Sequence, residues 1–204
     1  TDAEVQEVFD LTYDYDVWPF YEGVLTGKVS LREYVDLLNY QELTYPSSYV
    51  KARYLENHDT PRGASWMHSD TQLDNWLAFL YFQRGVTMLY SGMEYAPCER
   101  VDFFENQSNY GDMRRDVQLQ LRKLKEIKET LPITGGYWLE EADGLLLGHY
   151  EGPEGKALGV FDLLEHGTDC VKVDLPDGEY PNRLGGHITV RGGQFAFDGR
   201  PVIL

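Results

Sequence analysis

The chain has 204 residues, 42% of them apolar, and a formal net charge of −16 that comes from 34 acidic against 18 basic residues. This length and apolar fraction suffice for one or two ordinary soluble domains. The acidic balance argues against binding to nucleic acid or to an anionic membrane surface, since both require a basic patch. No window reaches the apolar length of a membrane span. The charge balance does not exclude a neutral ligand.

The two cysteines and the first residues bear on the cellular compartment and on completeness. Cys98 and Cys170 have no metal-ligand spacing, which favours two unpaired thiols in a reducing compartment such as the cytoplasm, although a disulfide stays open. The opening TDAEVQEV lacks the basic region and apolar core of a signal peptide. Because Thr1 stands in place of an initiator methionine, we expect the chain to have been cut from a longer polypeptide.

Strand and helix patterns alternate over the first two-thirds of the chain. Apolar and polar residues alternate from Phe9 to Asp16, which predicts a strand with two distinct faces. Ser30 and Glu33 have the spacing of a capping box and predict a helix that begins at Leu31. A second strand is predicted over Tyr49 to Glu56.

The same alternation continues towards the middle of the chain. Ser69 and Gln72 repeat the capping pattern before a second amphipathic helix, and Gly85 stands where that helix would end. The run from Val86 to Tyr90 is apolar or β-branched throughout, which predicts a third strand that is buried on both faces. A last long helix with an apolar stripe along one side is predicted over Met113 to Thr130. This order of strands and helices is typical of a parallel sheet.

The pattern changes beyond Leu131. Short alternating runs such as ALGVFDLL and HITV are separated by turn signals such as LPDGEY and RGG. These runs predict a sandwich of two antiparallel sheets. The expected fold class is therefore α/β over residues 1–131, followed by an all-β domain over residues 132–204.

A group of polar residues stands where the second predicted strand ends. The stretch YLENHDTPR passes from apolar residues into ENHD, residues 56–59. Ligands of parallel sheets meet the carboxyl ends of the strands, so a carboxylate and an imidazole would face a cleft there. In the alternative interpretation, Asn57 and Asp59 only cap the turn that Thr60 continues.

The stretches LENHDTPR and GVTMLYSGMEY together resemble the α-amylase family, glycoside hydrolase family 13. In that family the seventh barrel strand closes with Asn-His-Asp, and the eighth ends in Tyr-x-Gly-x-Glu, which Tyr90, Gly92 and Glu94 match here. FDLTYDYD resembles the sixth strand. The resemblance covers the whole chain. It implies the C-terminal part of a TIM (β/α)8 barrel, strands six to eight with the closing helix, followed by a β-sandwich.

The resemblance also implies roles for two residues and the absence of others. Asp59 would be the catalytic carboxylate that stabilises the transition state, and His58 would bind sugar hydroxyls. A retaining glycosidase needs two further carboxylates about 5–5.5 Å apart, which the family carries on strands four and five. The string from Gly111 to Asp116 has the wrong spacing for the nucleophile motif. We therefore expect a fragment that alone hydrolyses nothing and that self-associates through uncovered strand edges.

The remaining candidates for substrate binding are Asn57, Arg62, Trp66 and Tyr95. Trp66 and Tyr95 could each stack on a sugar ring or pack in the ordinary way. Arg62 could orient Asp59, reach a substrate hydroxyl or lie on the surface.

The sequence predicts no cofactor and no metal. The acidic run from Asp102 to Glu105 lacks the spaced oxygen ligands of a calcium loop. The expected partners are an α-glucan or small glucoside and the N-terminal half of the barrel. A non-catalytic carbohydrate-binding or structural relative is the alternative. The paired Asp and His favour the enzyme, because a non-catalytic protein has no chemical need for both.

Overall fold

The fold consists of five α-helices and eleven strands in the part of the chain that the structure, a computed structural model, describes: residues 2–100, 102 and 113–204. The helices are α1 (Asp2–Val5), α2 (Trp18–Leu25), α3 (Leu31–Thr44), α4 (Asp70–Phe82) and α5 (Gln118–Lys128). The strands are β1 (Thr12–Tyr13), β2 (Lys51–Arg53), β3 (Val86–Thr87), β4 (Gly136–Ala142), β5 (Leu145–Gly152), β6 (Gly155–Phe161), β7 (Cys170–Lys172), β8 (Gly178–Pro181), β9 (His187–Val190), β10 (Gln194–Ala196) and β11 (Val202–Ile203).

The first half contains a parallel sheet in the order β1-β2-β3. The predicted helices between its strands are present, and α2 is an additional helix that the sequence patterns missed. Pro19 lies in the first turn of α2, where the absent N–H of proline removes no helical hydrogen bond. Tyr21 and Val24 bury the inner face of α2 in the main core.

Side-chain caps fix the starts of the two helices that were predicted from capping patterns. Ser30 Oγ accepts from the backbone N–H of Glu33 at 3.2 Å, and Glu33 Oε2 accepts from the N–H of Ser30 at 2.9 Å. The predicted capping box of α3 is therefore confirmed. At α4 only half of the box forms, because Ser69 Oγ caps Gln72 whereas Gln72 Oε1 accepts from the N–H of His68.

The predicted strand from Phe9 to Asp16 is wrong in length and in its buried face. Only Thr12–Tyr13 pairs as a strand, and Phe9 is exposed. Asp14, from the polar face, is buried instead: its Oδ2 accepts from Arg53 Nη1 at 2.6 Å and its Oδ1 accepts from Gln41 at 3.1 Å. The alternation misleads because it assumes that polar residues face solvent, whereas this carboxylate has buried partners.

The third predicted strand is also shorter and more open than expected. Only Val86–Thr87 is assigned to β3, and both Val86 and Leu89 are exposed. Among the described residues β3 pairs with β2 alone. The prediction of burial on both faces is therefore wrong, since these two apolar side chains remain open to solvent at an edge of the described sheet.

The last helix of the first half begins later than the sequence predicted. Helix α5 starts at Gln118, not at Met113. The preceding residues make backbone contacts with the loop after β3, since the N–H of Val117 donates to Glu94 O at 2.9 Å and that of Arg115 to Tyr95 O. The predicted apolar stripe of α5 is nevertheless buried, with Leu124 fully enclosed.

The second half is an antiparallel sandwich. A four-stranded sheet in the order β11-β6-β5-β4 places one face against α4, where Phe82 packs on Tyr150 and Phe161. The opposite face packs on a second layer formed by the pairs β7–β10 and β8–β9 around a separate apolar cluster. The predicted α/β part followed by an antiparallel sandwich is confirmed. The boundary between residues 131 and 132 stays a prediction.

Candidate active site

The ENHD segment, residues 56–59, follows the carboxyl end of β2 and is divided by burial. Glu56 and Asn57 are almost fully enclosed. The side chains of His58 and Asp59 are 58% and 61% exposed. The exposed imidazole and carboxylate thus follow directly on two buried residues.

A tight turn holds Asp59 in its outward position. Asn57 Oδ1 accepts from the N–H of Asp59 at 2.8 Å, and Thr60 Oγ1 accepts from the N–H of Asn57 at 2.8 Å. Such side-chain to backbone bonds stabilise turns locally. The turn that the alternative interpretation expected is therefore present, and it positions the exposed carboxylate.

Two neighbouring side chains engage Oδ2 of Asp59. The Tyr15 hydroxyl donates to it at 3.0 Å, and His58 Nε2 lies 3.4 Å away. Asn57 Nδ2 donates to the Tyr15 hydroxyl at 3.3 Å, which links the buried half of the segment to the exposed half. Desolvation raises the pKa of Tyr15, and its hydrogen bond to Asp59 raises that pKa further, so this phenol stays protonated as a donor.

Tyr15 was not singled out in the sequence as a site residue. Its ring packs edge-on against Tyr54 at 5.8 Å and lies 5.6 Å from Tyr13. This aromatic group fixes the direction of the Tyr15 hydroxyl. The only signal in the sequence was its place near the end of the first predicted strand, where site residues of parallel sheets occur.

Arg100 is a second contact that sequence reasoning missed. Its Nη2 donates to the backbone carbonyl of His58 at 2.8 Å. The loop after β3 therefore reaches the exposed half of the segment. Nothing in the sequence around Arg100 predicted this contact, because the two residues are 42 positions apart.

Arg62 lies in the core, with only 1% of its side chain exposed. Its Nη1 donates to Glu56 Oε1 at 2.6 Å and to Ser91 O at 3.0 Å, and its guanidinium stands 4.6 Å from the centroid of the Tyr90 ring. Burial raises the pKa of Glu56, and Arg62 opposes that increase. The surface interpretation of Arg62 is wrong, and its hydrogen bonds hold the base of the segment.

The contacts of Trp66 and Tyr95 are with residues outside the ENHD segment. Trp66 lies in a short 3₁₀ helix, Gly63–Trp66, and packs against Trp18 at 6.0 Å and Tyr21 at 6.2 Å between ring centroids. The Tyr95 hydroxyl accepts from Gln118 Nε2 at 3.3 Å. Packing accounts for the Trp66 ring and a hydrogen bond for the Tyr95 hydroxyl, and the stacking of either ring on a sugar stays a prediction.

The described residues form no group of three or more His, Cys, Asp or Glu side chains that could hold a metal ion. Residues 103–105 of the acidic run lie outside the described residues, as do Gly111 and Asp112 of the string compared with the nucleophile motif. Within the described ranges, no helix is long and apolar enough to cross a membrane. Cys98 and Cys170 are both free thiols.

Comparison with known proteins identifies the family. Residues 139–204 match the family model described as the bacterial alpha amylase C-terminal domain. An α-amylase from Lactobacillus plantarum is 33% identical to this chain and superposes with a TM-score of 0.93 over 100% of it. The chain belongs to the α-amylase family.

Two further amylase structures share the fold. A noncanonic maltogenic α-amylase from Thermotoga neapolitana is 26% identical, with a TM-score of 0.82 over 100% of this chain. An α-amylase from Geobacillus thermoleovorans, at 18% identity and a TM-score of 0.74 over 99% of this chain, shows a likeness of fold alone. This α-amylase family chain covers 49%, 52% and 49% of the Lactobacillus, Thermotoga and Geobacillus chains. It corresponds to their C-terminal portion, the end of the barrel and the sandwich, which confirms the predicted resemblance.

Proposed function

We propose that the polypeptide containing this chain is an α-amylase-type glycosidase that cleaves α-glucosidic linkages with retention, and that Asp59 stabilises its transition state. The observation that carries this proposal is the exposed Asp59 carboxylate at the end of β2, with its Oδ2 held by the Tyr15 hydroxyl at 3.0 Å. A carboxylate fixed in this way loses little freedom when it binds a substrate.

The chemistry of glycoside cleavage fits these two exposed groups. Its oxocarbenium-like transition state is stabilised by hydrogen bonds to sugar hydroxyls that strengthen as charge develops. Asp59 accepts such bonds, and His58 beside it supplies a second polar contact. The Geobacillus relative was solved in complex with acarbose, which supports a glucan as the substrate class.

The nucleophile and the general acid are proposed to lie outside this chain, on strands four and five of the barrel. The described residues supply three parallel strands, and a (β/α)8 barrel needs eight. We assign residues 1–131 to the end of the barrel and residues 132–204 to the sandwich. Without the two further carboxylates, the 204-residue chain by itself is inactive.

The test is Asp59→Asn in the polypeptide as its source produces it. We expect kcat on a soluble maltooligosaccharide to fall by a factor of about 10² or more, because an aimed charge is lost from the transition state. Asp198→Asn is the matched control, since this carboxylate is exposed beside Arg200 in the sandwich. Proton NMR of the first product anomer tests retention.

Two results would overturn the proposal. Unchanged kcat in the Asp59→Asn protein would remove Asp59 from the chemistry. A native polypeptide without any glycosidase activity that still binds maltooligosaccharides would favour the non-catalytic alternative.

A further inference from the structure

A cleft of about 890 Å³ opens in the sandwich, between the four-stranded sheet and the second layer. Its apolar floor includes Leu147, Leu158 and Leu204. Its polar rim includes Glu140, Lys156 and Lys172 and differs entirely from the residues around Asp59. The volume lies within the range of about 300–1,000 Å³ that is typical of ligand sites.

Trp138 lies on the rim of this cleft as a fixed aromatic platform. Its neighbours Tyr137 and Leu139 point into the core, whereas Trp138 is 40% exposed. One face of the indole stacks on His149, with ring centroids 4.9 Å apart and an interplanar angle of 3°. His149 Nε2 lies 3.2 Å from Glu140 Oε1, which orients the imidazole. The indole is therefore preorganised, and its exposed part can pack on a ligand.

The backbone that carries Trp138 is held by helix α3. Asn39 Nδ2 donates to Leu139 O at 2.7 Å, and the N–H of Leu139 donates to Asn39 Oδ1 at 2.9 Å. Asn39 thereby occupies the hydrogen-bonding groups of edge strand β4 at this residue. An added strand from a partner protein cannot pair there, so the cleft suits a ligand that binds to its side chains and not to the strand backbone.

The charges in the cleft favour a neutral and polar ligand. Glu151 pairs with Lys156 at 2.6 Å, and the rim adds Glu140, Asp174 and Lys172, so neither sign dominates. Carboxylates accept and ammonium groups donate, which suits hydroxyl groups that do both. An apolar platform beside such groups matches a sugar, which has an apolar face and a polar edge.

We propose that this cleft is a non-catalytic binding site for a segment of an α-glucan, with Trp138 as its stacking platform and Glu140 and Lys172 as partners of the hydroxyl groups. The glucan as ligand class rests on the proposed function; the site itself rests on the cleft. It holds polymeric substrate on the protein at a place that shares no residue with the catalytic segment.

The test compares adsorption to granular starch with catalysis on a short substrate. In the native polypeptide carrying Asp59→Asn, which slows hydrolysis of the starch during the assay, Trp138→Ala lowers the affinity for starch about tenfold. Trp138→Phe keeps an aromatic ring, so its affinity for starch falls by less. Tyr40→Ala is the control, because Tyr40 is an exposed aromatic residue on α3 outside the cleft. With Asp59 restored, Trp138→Ala leaves kcat/KM on a short soluble maltooligosaccharide unchanged.

Starch affinity that is unchanged in a folded Trp138→Ala protein overturns the proposal. If that variant does not fold, Lys172→Met decides, because this exposed lysine contributes nothing to the core. Weaker adsorption of the Lys172→Met variant to starch supports the binding site, and unchanged adsorption refutes the proposal. If the polypeptide with Asp59 in place hydrolyses no maltooligosaccharide while its adsorption still depends on Trp138, only the proposed function is refuted. If hydrolysis is intact and adsorption does not depend on Trp138, only the proposed binding site in the cleft is refuted.

Discussion

Replacement of Arg62 by Met is expected to destabilise the protein strongly. Arg62 Nη1 and Glu56 Oε1 are 2.6 Å apart, and the two side chains are only 1% and 3% exposed. Methionine preserves most of the side-chain volume but removes the cation, which leaves Glu56 as an unpaired buried charge.

The expected loss follows from this geometry. Removal of one partner of a buried pair costs about 3–5 kcal/mol of unfolding free energy, a large part of the 5–15 kcal/mol that is typical of a domain. Arg62→Met with Glu56→Gln removes the unpaired charge, and glutamine still offers an acceptor for the N–H of Gly63, which Glu56 Oε2 accepts at 2.8 Å. The double variant therefore recovers most of the loss.

The pH dependence gives a second signature. Without Arg62, burial raises the pKa of Glu56 further above its ordinary value of 4.5. The folded state then holds a proton that the unfolded state releases, so the stability from that proton is complete below about pH 4.5 and is lost as pH rises through the raised pKa. The loss caused by Arg62→Met is thus smaller at about pH 5 than at about pH 8.

Urea unfolding followed by circular dichroism measures these differences. Arg32→Met is the control: Arg32 binds Glu141 at 2.7 Å, but 65% of its side chain is exposed. This exposed pair contributes at most about 1 kcal/mol. A double variant no more stable than Arg62→Met alone, or a loss independent of pH, would refute the reasoning.

Three further predictions concern the site, the tyrosines and the sandwich. Tyr15→Phe removes the hydroxyl that donates to Asp59 Oδ2 at 3.0 Å, and we expect kcat of the native polypeptide to fall about tenfold in steady-state assays. Burial raises the pKa of Tyr34 above its ordinary value of 10.0, as it does for other core tyrosines. The stability gained by keeping these phenols protonated is therefore complete below about pH 10 and is lost as pH rises further. Urea unfolding at a series of alkaline pH values measures this loss. Gly148→Ala would place its Cβ 2.6 Å from Phe82 Cε1, and we expect thermal and urea unfolding to show a loss of about 1–3 kcal/mol.

Each of these predictions has a control and a contrary result. Tyr40→Phe controls for Tyr15→Phe, and equal kcat in the two variants would show that the hydroxyl does not act through Asp59. Stability that keeps rising above about pH 10 would contradict the assignment of buried phenols. Gly136→Ala, whose Cβ would lie 3.7 Å from Glu151 O, is the matched glycine, and an equal loss at both positions would exclude the clash with Phe82.

Apart from α2, the amino-acid sequence by itself indicated the alternation of strands and helices in the first half and the place of the candidate active site. Capping at Ser30 and the apolar stripe of α5 depend on residues a few positions apart, so local chemistry sufficed to predict them. The ENHD segment was found because strand-end position and residue type are both readable from sequence.

The tertiary structure alone decided which polar groups are buried and which are open. Asp14 is buried because Arg53, 39 residues away, neutralises it, and local alternation cannot indicate such a partner. The same holds for Arg62, whose position beside Asp59 in the sequence gave no sign that it lies in the core.

The cleft shows the same division between local and long-range information. The sequence carries no signal for a site at Trp138, because its platform needs His149 from the next strand and Asn39 from a helix 100 residues away from Leu139. Periodicity fixes which face a side chain occupies, but what that face meets depends on packing between distant segments. The sequence therefore indicated most of the elements, the family and the ENHD segment, whereas long-range contacts determined which polar groups are buried and which side chains line the cleft.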